Sequence, residues 1–489
     1  MFNYHTITVN YCKVTNSIAS FAAGSHKKGG DIMPIGKEQF LLQFTQQALD
    51  ERISLFLGAG GSCDAGYPNW ANLFAPIARD LGISIDESTD YYLLAQYYSN
   101  NFGSAEFRKR INDRINKNDY KSRLLEELIS IGFTNVWTTN FDNAVEKNYQ
   151  QQDILINKVF RDSDFSNIDF NKRINVFKMN GDVTNLEGIV ATQSDYERYP
   201  DSHRVMLMFF KRELISSTFL FIGYSFSDHL VLDCMSEITR YLGESANFHY
   251  AIMKDNPNNP YFSYFVEDLE KRYHIRVLLV NKYEEIPCVL ADLNHRIRNK
   301  RVFISGSFRS YDAGIEEFSH TFSKSLAYAL IDNDYRIVNG IGRRFGTHLI
   351  GYANECIAKQ GIKDSSKHLI IKPFVGIDKG AAKDKKQSRE KVIGQCGATI
   401  FVFGENNANS SYSLSGVFEE FQIAKKLHKT IIPIAYPCMV SEVIWKEVRN
   451  NLTRYPYLEN CIDMLTSSQP SNTLADNIVQ ILDSVQKAT

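Results

Sequence analysis

The sequence predicts an α/β protein with two doubly wound, Rossmann-like domains, the first of which carries a helical subdomain. Short, mainly apolar segments alternate with segments of helical periodicity, a pattern typical of parallel sheets that are covered on both faces. Two of the apolar segments run directly into glycine loops, which begin at Gly58 and at Gly340. Because open parallel sheets bind ligands at the carboxyl ends of their strands, each loop predicts a binding site.

The length of the chain predicts how many domains it forms, and its net charge limits the classes of partner. The chain has 489 residues and a formal net charge of −1, from 55 basic and 56 acidic side chains. We assign residues 36–295 to the first domain and residues 300–489 to the second. We expect residues 1–35 to be a disordered arm or an upstream extension, since they lack the apolar core of a signal peptide. The balanced charge predicts neither a nucleic-acid nor a membrane partner.

The cysteines indicate a reducing compartment. Eight of them are scattered along the chain without a single C-x-x-C pair, which predicts a cytoplasmic protein without disulfides. The same absence removes the usual ligands of a structural zinc module, so we expect no metal.

Alternating patterns define the elements of the first domain. Strands are predicted at 53–57, 134–137, 176–179, 219–222, 249–253 and 276–280. Apolar residues recur at helical spacing from Trp70 to Leu81, which predicts an amphipathic helix. The segment Ser88-Thr89-Asp90 offers an N-cap for an aromatic-rich helix from Tyr91 to Tyr98.

The first glycine loop carries the strongest motif of the chain. Its sequence is Gly58-Ala59-Gly60-Gly61-Ser62-Cys63-Asp64-Ala65-Gly66-Tyr67-Pro68. Gly58 and Gly60 permit a sharp turn and a close approach of the backbone to a diphosphate, although similar strings also occur in ordinary strand-to-helix loops. We expect Gly58→Val to abolish dinucleotide binding and to leave the fold largely intact, because the branched side chain would fill the space of the diphosphate.

Three further motifs follow in order, and with the first they resemble the NAD-binding motifs of the sirtuins. Each stands at the carboxyl end of a predicted strand, and they are Thr138-Thr139-Asn140-Phe141-Asp142, Phe177-Lys178-Met179-Asn180-Gly181-Asp182 and Gly223-Tyr224-Ser225-Phe226-Ser227-Asp228. The resemblance implies that NAD+ is bound by Gly58, Ala59, Gly60, Ser62, Thr138, Gly223, Ser225 and Asp228. It places Asn140 and Asp142 against the nicotinamide and its ribose, and Asn180 where sirtuins carry a histidine.

The asparagine at position 180 bears directly on catalysis. Cleavage of the nicotinamide–ribose bond passes through an oxocarbenium-like state, for which a histidine would act as general base or position the ribose. Asn180 cannot take up a proton at neutral pH, so either this catalytic position is disabled or another group serves. His229 is the nearest alternative by sequence, although a lone histidine is more often structural.

The absence of zinc-binding cysteine pairs bears on which sirtuin-type activity is expected. Sirtuins that deacylate proteins usually hold a zinc ion with two C-x-x-C pairs, which disfavours a protein deacylase or ADP-ribosyltransferase here. A catalytically inert nucleotide sensor or scaffold remains an alternative because of Asn180.

The second domain repeats the strand-and-loop pattern and resembles the SLOG family, which joins lysine-decarboxylase-like proteins to the DNA-processing Smf proteins. A strand begins at Val302, another enters the glycine loop at 340–347, and further strands are predicted at 368–371, 399–403 and 430–434. A phosphate-bearing signal should meet loop N–H groups and a few cationic side chains. The candidates are Ser305, Gly306, Ser307, Arg309, Gly342, Arg343, Lys372 and Arg389, with Glu419 or Glu420 for ribose hydroxyls.

A sirtuin-like domain followed by a SLOG-like domain resembles the effector family of the Thoeris anti-phage system. The resemblance implies an enzyme that hydrolyses NAD+ once a cyclic ADP-ribose isomer, made by a partner TIR-domain cyclase, binds the second domain. It also implies a homo-oligomer, a tetramer or a larger assembly.

Overall fold

The computed structural model describes residues 34–86, 89–115, 121–169, 173–309, 312–374, 381–405 and 415–487. Residues 1–33 of the predicted arm lie outside these ranges. The described residues form two separate parallel sheets, each covered by helices, which confirms the predicted fold class. None of the helices in the described ranges combines the length and the apolar character that crossing a membrane requires.

The first domain is built on a seven-stranded parallel sheet. Its strands are β1 Ile53–Leu57, β2 Asn135–Thr138, β3 Ile156–Val159, β4 Ile174–Lys178, β5 Thr218–Ile222, β6 His249–Lys254 and β7 Ile275–Val280. The spatial order is β3-β4-β2-β1-β5-β6-β7. From β1 the chain adds β2, passes to β3 at the edge and inserts β4 between them, and it then crosses to the other side of β1 at β5. The carboxyl ends of β1, β2 and β5 form the switch point at which such sheets bind ligands.

Helices cover both faces of this sheet. They are α1 Lys37–Leu49, α2 Ala59–Cys63, α3 Trp70–Asp80, α4 Tyr91–Phe102, α5 Ser104–Ile115, α6 Arg123–Ile131, α7 Ala144–Gln151, α8 Gln193–Ser202, α9 Arg204–Ser216, α10 His229–Leu242, α11 Phe262–Tyr273 and α12 Ile286–Asn299. Side chains of β1 alternate between two apolar cores, with Leu55 and Leu57 in one and Phe56 in the other. Both cores exclude water, which explains why four of the five residues of β1 are apolar, and the buried Ser54 donates to Glu213 Oε1.

The second domain contains a five-stranded parallel sheet. Its elements are β8 Arg301–Ser307, α13 Ala313–Asp332, β9 Arg336–Asn339, α14 Phe345–Lys359, β10 Leu369–Ile371, α15 Ala381–Gly394, β11 Ala398–Phe403, α16 Gly416–Lys426, β12 Thr430–Pro433, α17 Val440–Arg449 and α18 Ser471–Lys487. The spatial order is β10-β9-β8-β11-β12, so the switch point lies at the carboxyl ends of β8, β9 and β11.

The two domains follow each other in the chain with almost no linker. A single residue, Lys300, separates the end of α12 from the start of β8. Gly397, just before β11, lies against the end of α12, because a Cβ at this position would be 2.5 Å from the Cα of Asn299. The connection from α15 to β11 in the second domain is thus packed on the last helix of the first domain.

Most predicted strands lie within one or two residues of their observed bounds, and two larger differences concern α4 and β3. Asp90 caps α4 as predicted, its Oδ1 accepting from the N–H groups of Tyr92 and Leu93 at 3.0 Å, but the helix continues to Phe102. Strand β3 was not predicted, because this four-residue edge strand carries polar residues. One of them, Asn157, donates through Nδ2 to Oδ1 of Asn175 on β4 at 2.7 Å.

Candidate active site

The glycine turns that follow β1 and β5 pack directly against each other. Gly58 N–H donates to the carbonyl of Ile222, and Gly60 N–H donates to the carbonyl of Gly223, both at 2.9 Å. Gly223 has a φ of +64°, and a Cβ at this position would lie 2.1 Å from the nitrogen of Gly61. Only glycine meets both demands, so the two turns hold the switch point in one fixed shape.

The structure corrects the expected role of Gly58. A Cβ at Gly58 would lie 2.4 Å from the carbonyl oxygen of Gly223 and 2.5 Å from the Cα of Tyr224. The glycine therefore makes room for the neighbouring turn, and the expectation that Gly58→Val leaves the fold largely intact is wrong.

We now expect Gly58→Val to lower the free energy of unfolding by about 1–3 kcal/mol or more, because a side chain is forced into packed backbone. NAD+ binding should be lost with the shape of the turn. Chemical denaturation and calorimetric titration measure the two effects. Gly351→Val is the matched control, since a Cβ at Gly351 meets nothing within 4 Å. Equal stability of both variants would contradict this account.

Asn140, Ser62 and Asp142 form one buried hydrogen-bonded cluster at the switch point. Asn140 Nδ2 donates to the carbonyl of Gly58 at 3.1 Å and to Ser62 Oγ at 3.0 Å. Ser62 Oγ donates to Asp142 Oδ1 at 3.2 Å, and the same oxygen accepts from the N–H of Ala144 at 2.9 Å. The fold thus brings together the predicted catalytic pair, which follows β2, and the serine of the first glycine loop.

The amide of Asn140 keeps one acceptor free. Thr138 Oγ1 donates to the carbonyl of Leu57 at 2.7 Å and accepts from the N–H of Asn140 at 3.0 Å, which fixes the start of the loop. Both hydrogens of Asn140 Nδ2 have acceptors, whereas its buried Oδ1 has no hydrogen-bond partner among the described residues. Leaving a buried acceptor unpaired costs about 1–3 kcal/mol. Oδ1 is therefore placed to accept from a ligand amide or a water.

Two cavities contact the glycine turn, one lined by Ala59 and the other by Gly60. The smaller, about 20 Å³, has room for one water and is lined by Asn140 and Asp142 with an apolar wall that includes Trp70. The larger, about 790 Å³, lies at the carboxyl ends of β5 and β6 and has the volume of a small-molecule pocket. Its polar lining includes Asp64, Asn69, Ser225, Lys254, Asp255 and Asn256.

A buried lysine ties the Asn140–Asp142 loop to β4. Lys178 Nζ donates to the carbonyl of Phe141 at 3.2 Å and to that of Asp142, and it pairs with Asp182 Oδ2 at 2.6 Å and Glu146 Oε1 at 3.0 Å. Burial raises the pKa of Asp142, and the Lys178 ammonium opposes that rise. Burial alone would also raise the pKa of Asp182, but the same ammonium lowers it to about 2.

Asn180 lies in a second polar cluster, built around Asp228. Asn180 Nδ2 donates to Tyr196 Oη at 3.4 Å, and Tyr196 Oη donates to Asp228 Oδ2 at 2.5 Å. The Tyr92 hydroxyl lies 2.5 Å from that of Tyr196 and donates to the same carboxylate oxygen at 3.3 Å. Burial raises the pKa of Asp228, and the donated hydrogen bonds oppose the rise. The Trp70 ring, 5.3 Å from that of Tyr92, separates this cluster from the small cavity.

In the second domain, the loops after β8 and β9 also interlock. A Cβ at Gly342 would lie 1.9 Å from the carbonyl oxygen of Gly306, and a Cβ at Gly306 would lie 2.5 Å from the Phe345 ring. Phe308 N–H donates to the carbonyl of Arg343 at 3.3 Å. The fold therefore brings Ser305–Ser307 next to Gly342 and Arg343.

The other residues predicted to bind the signal differ in exposure and in the partners that they already have. Arg343 and Lys372 are exposed, and Lys372 follows β10, where its N–H donates to the carbonyl of Asn339 at 2.9 Å. The backbone N–H of Arg309 donates to Glu405 Oε1 at 2.5 Å.

Arg389 already holds two carboxylates. Its Nε donates to Glu420 Oε1 at 3.1 Å and its Nη1 donates to Glu419 Oε2. Ser305 Oγ donates to Glu420 Oε2 at 2.6 Å, so the serine of the first signal loop belongs to the same network. Burial raises the pKa of Glu420 and Arg389 opposes the rise. A phosphate that reached Arg389 would compete with Glu419 for the guanidinium.

Comparison with known proteins decides the family. A SIR2-like domain matches residues 134–278, and the Sir2- and TIR-associating SLOG family matches residues 285–485. The NAD(+) hydrolase ThsA of Bacillus cereus (strain MSX-D12) is 30% identical over 437 residues, which cover 86% of this chain and 90% of that protein. The chain belongs to the ThsA family.

Further relatives agree with this assignment. The NAD(+) hydrolase ThsA of Enterococcus faecium is 27% identical over 92% of this chain and 99% of that protein. The defense-associated sirtuin 2 of Bacillus subtilis is 21% identical over 45% of this chain and 21% of its own length. The predicted pair of domains, in the predicted order, is thus confirmed as that of the ThsA family.

In this member of the ThsA family, the structure adds residues that the motifs did not contain. Tyr92 and Tyr196 lie outside the four motifs, on α4 and α8, and only the N-capped aromatic helix gave a sequence signal for the first. Asp228, predicted to contact NAD+, is buried and caps α10, its Oδ1 accepting from the N–H of Leu230 at 3.0 Å. Neither Asp228 nor Asn180 lines the two cavities. His229 is exposed at the first position of α10 and lines neither of them.

Proposed function

We propose that this chain is an NAD+ glycohydrolase that acts as an effector of anti-phage defence. It cleaves the nicotinamide–ribose bond, releases nicotinamide and ADP-ribose, and depletes cellular NAD+ when a cyclic ADP-ribose isomer binds the second domain. The activity that its ThsA relatives carry in their names supports the substrate. The observation that carries the proposal is the free, buried acceptor of Asn140 beside Asp142, in the wall of a water-sized cavity. A cavity of about 790 Å³ is lined by Gly60 of the same glycine turn.

The residues at the switch point divide the chemistry between them. Asn140 Oδ1 accepts from the nicotinamide carboxamide or from the attacking water, and the Asp142 carboxylate stabilises the positive charge that develops on the ribose. The adenosine side of NAD+ occupies the large cavity, along Gly223 and Ser225. Because Asn180 cannot accept a proton, turnover by the chain as it stands is slow or absent.

Release of nicotinamide tests the proposal. The purified chain and its Asn180→His variant are incubated with NAD+, with and without cyclic ADP-ribose isomers, and nicotinamide is measured by chromatography. We expect release by the histidine variant with activator, and its loss when Asn140→Ala is added. NAD+ binding without release in both backgrounds would instead support an inert scaffold, the alternative that Asn180 favours. Release that requires an acylated peptide would support a sirtuin-type deacylase.

We propose that the active form is a homotetramer or a larger assembly, and that a TIR-domain cyclase acts on it through the cyclic nucleotide alone. The second domain matches a family described as Sir2- and TIR-associating, which supports such a functional pairing.

A continuous set of elements joins the two sites. Helix α12 begins at the wall of the large cavity, which Ile286 and Pro287 line, and it ends one residue before β8. Strand β8 in turn ends at the signal loop with Ser305–Ser307. A nucleotide that reshapes this loop therefore acts on β8, which follows α12 in the chain, and α12 begins at the wall of the NAD+ cavity.

We expect Lys372→Ala and Arg389→Ala, in a background with Asn180→His, to lose activation and to keep NAD+ binding. A switch of about 10²-fold requires about 3 kcal/mol of coupling, which a few charge-assisted contacts to phosphate supply. Activation curves of nicotinamide release against activator concentration measure the effect. Lys446→Ala is the control, since this exposed lysine pairs only locally with Glu442 at 2.6 Å. If both variants respond to the activator like their parent, the signal site lies elsewhere.

A further inference from the structure

We propose that Glu316, His320 and His348 form a binding site for a divalent transition-metal ion in the second domain. Glu316 and His320 are one helical turn apart on α13, and His348 faces them from α14. One carboxylate oxygen and one nitrogen from each imidazole lie within 4.8 Å of one another. This spacing allows a single ion to contact all three, and two imidazoles with one carboxylate suit Zn²⁺ and similar ions.

Each imidazole is held by a hydroxyl at one nitrogen. His348 Nδ1 lies 2.8 Å from Ser319 Oγ, and His320 Nδ1 lies 3.1 Å from the Tyr352 hydroxyl. Both rings therefore present Nε2 as the metal ligand, and the hydroxyls fix their orientation in the way that outer partners of metal-bound histidines do. The rings are stacked with centroids 3.9 Å apart and an interplanar angle of 23°, so both lie at the site, and the exposed His320 ring would rotate to share one ion with His348.

The carboxylate is oriented as well. Arg344 Nη1 pairs with Glu316 Oε1, which leaves Oε2 turned toward His348, 3.7 Å from Nε2.

The position of the cluster suggests what an ion would do there. It would cross-link α13 to α14 immediately behind the loop that connects β9 to α14. Phe308, which follows the Ser305–Ser307 loop, contacts the His348 ring at 6.4 Å between centroids. A bound ion would thus stiffen the base of the two interlocked signal loops.

Metal titration of the full chain tests the site. After treatment with a chelator and its removal, the chain is titrated with Zn²⁺ by calorimetry and with Co²⁺ by visible absorption. We expect His320→Ala, at an exposed position, to remove one equivalent of bound Zn²⁺. Tyr352→Phe keeps the ring, removes only the hydroxyl, and should weaken binding about 10-fold. His229→Ala, at another exposed helical histidine, should leave the stoichiometry unchanged.

The outcomes separate this site from adventitious binding. Loss of one equivalent in His320→Ala and in His348→Gln, with parental binding in His229→Ala, supports the proposal. Parental stoichiometry and affinity in His320→Ala would overturn it, as would a Co²⁺ spectrum that does not change between parent and variant. Circular dichroism of each variant verifies that the comparison is made between folded proteins.

Discussion

Replacing Asn180 with histidine is expected to raise the rate of NAD+ cleavage by about 10²–10⁴-fold, the usual contribution of a positioned general base or acid. The parent carries an amide at this position, and its side chain is almost completely buried. An amide can position a hydroxyl or a water, but it cannot take its proton.

The surroundings of position 180 suit an imidazole. The Tyr196 hydroxyl, 3.4 Å from Asn180 Nδ2, already donates to the Asp228 carboxylate. An imidazole in this place would gain a hydroxyl partner and a nearby negative charge that together fix its orientation. The rate of the variant should therefore increase as the pH rises through the pKa of the new imidazole, about 6.5 when unperturbed, because only the neutral form accepts a proton.

Steady-state release of nicotinamide as a function of pH measures this effect, with activator present throughout. Asn180→Gln is the control, since it keeps an amide and should show neither the gain in rate nor the new pH dependence. Robust cleavage by the parent, at a rate that Asn180→His does not exceed, would show that another residue serves as the catalytic group.

The sequence predicted those parts of the site that local patterns encode. Apolar runs located β1 and β5 because both are buried on two faces, and the glycines after them located the switch point. The motif around Asn140 and Asp142 predicted their proximity to the first loop, since carboxyl ends of neighbouring parallel strands share one edge.

Contacts between residues that are far apart in the chain left no such local pattern in the sequence. Gly58 lies in the expected turn, but its need for glycine comes from the backbone of Gly223, far away in sequence. The Tyr92–Tyr196–Asp228 cluster joins three separate elements, and His320 meets His348 only because α13 packs on α14. A search for short cysteine motifs could not find a site assembled in this way.

Lys178→Met is expected to lower the free energy of unfolding by about 3–5 kcal/mol, because breaking a buried ion pair leaves an uncompensated charge. The Lys178 side chain is 0% exposed, as is that of Asp182, and that of Glu146 is 12% exposed. Methionine matches the length of the lysine stem, so the loss reflects the charge and the hydrogen bonds rather than volume.

The consequence extends to the catalytic loop. Lys178 Nζ is also the donor to the carbonyls of Phe141 and Asp142, so its loss frees the loop that carries Asn140. We expect the folded fraction of Lys178→Met to bind NAD+ more weakly than its parent. Equilibrium denaturation and calorimetric titration with NAD+ report the two effects separately.

Lys211→Met is the matched control for Lys178→Met, because it also removes the charge of a paired lysine. Lys211 pairs with Glu237 at 2.7 Å, but the two side chains are 33% and 34% exposed, and water screens their attraction. An exposed pair contributes only about 0–1 kcal/mol, so the control should unfold almost like its parent. If both lysine variants lost the same small amount of stability, the Lys178 network would be replaceable, and the position of the Asn140–Asp142 loop would have to depend on its hydrogen bonds to Thr138 and Ser62.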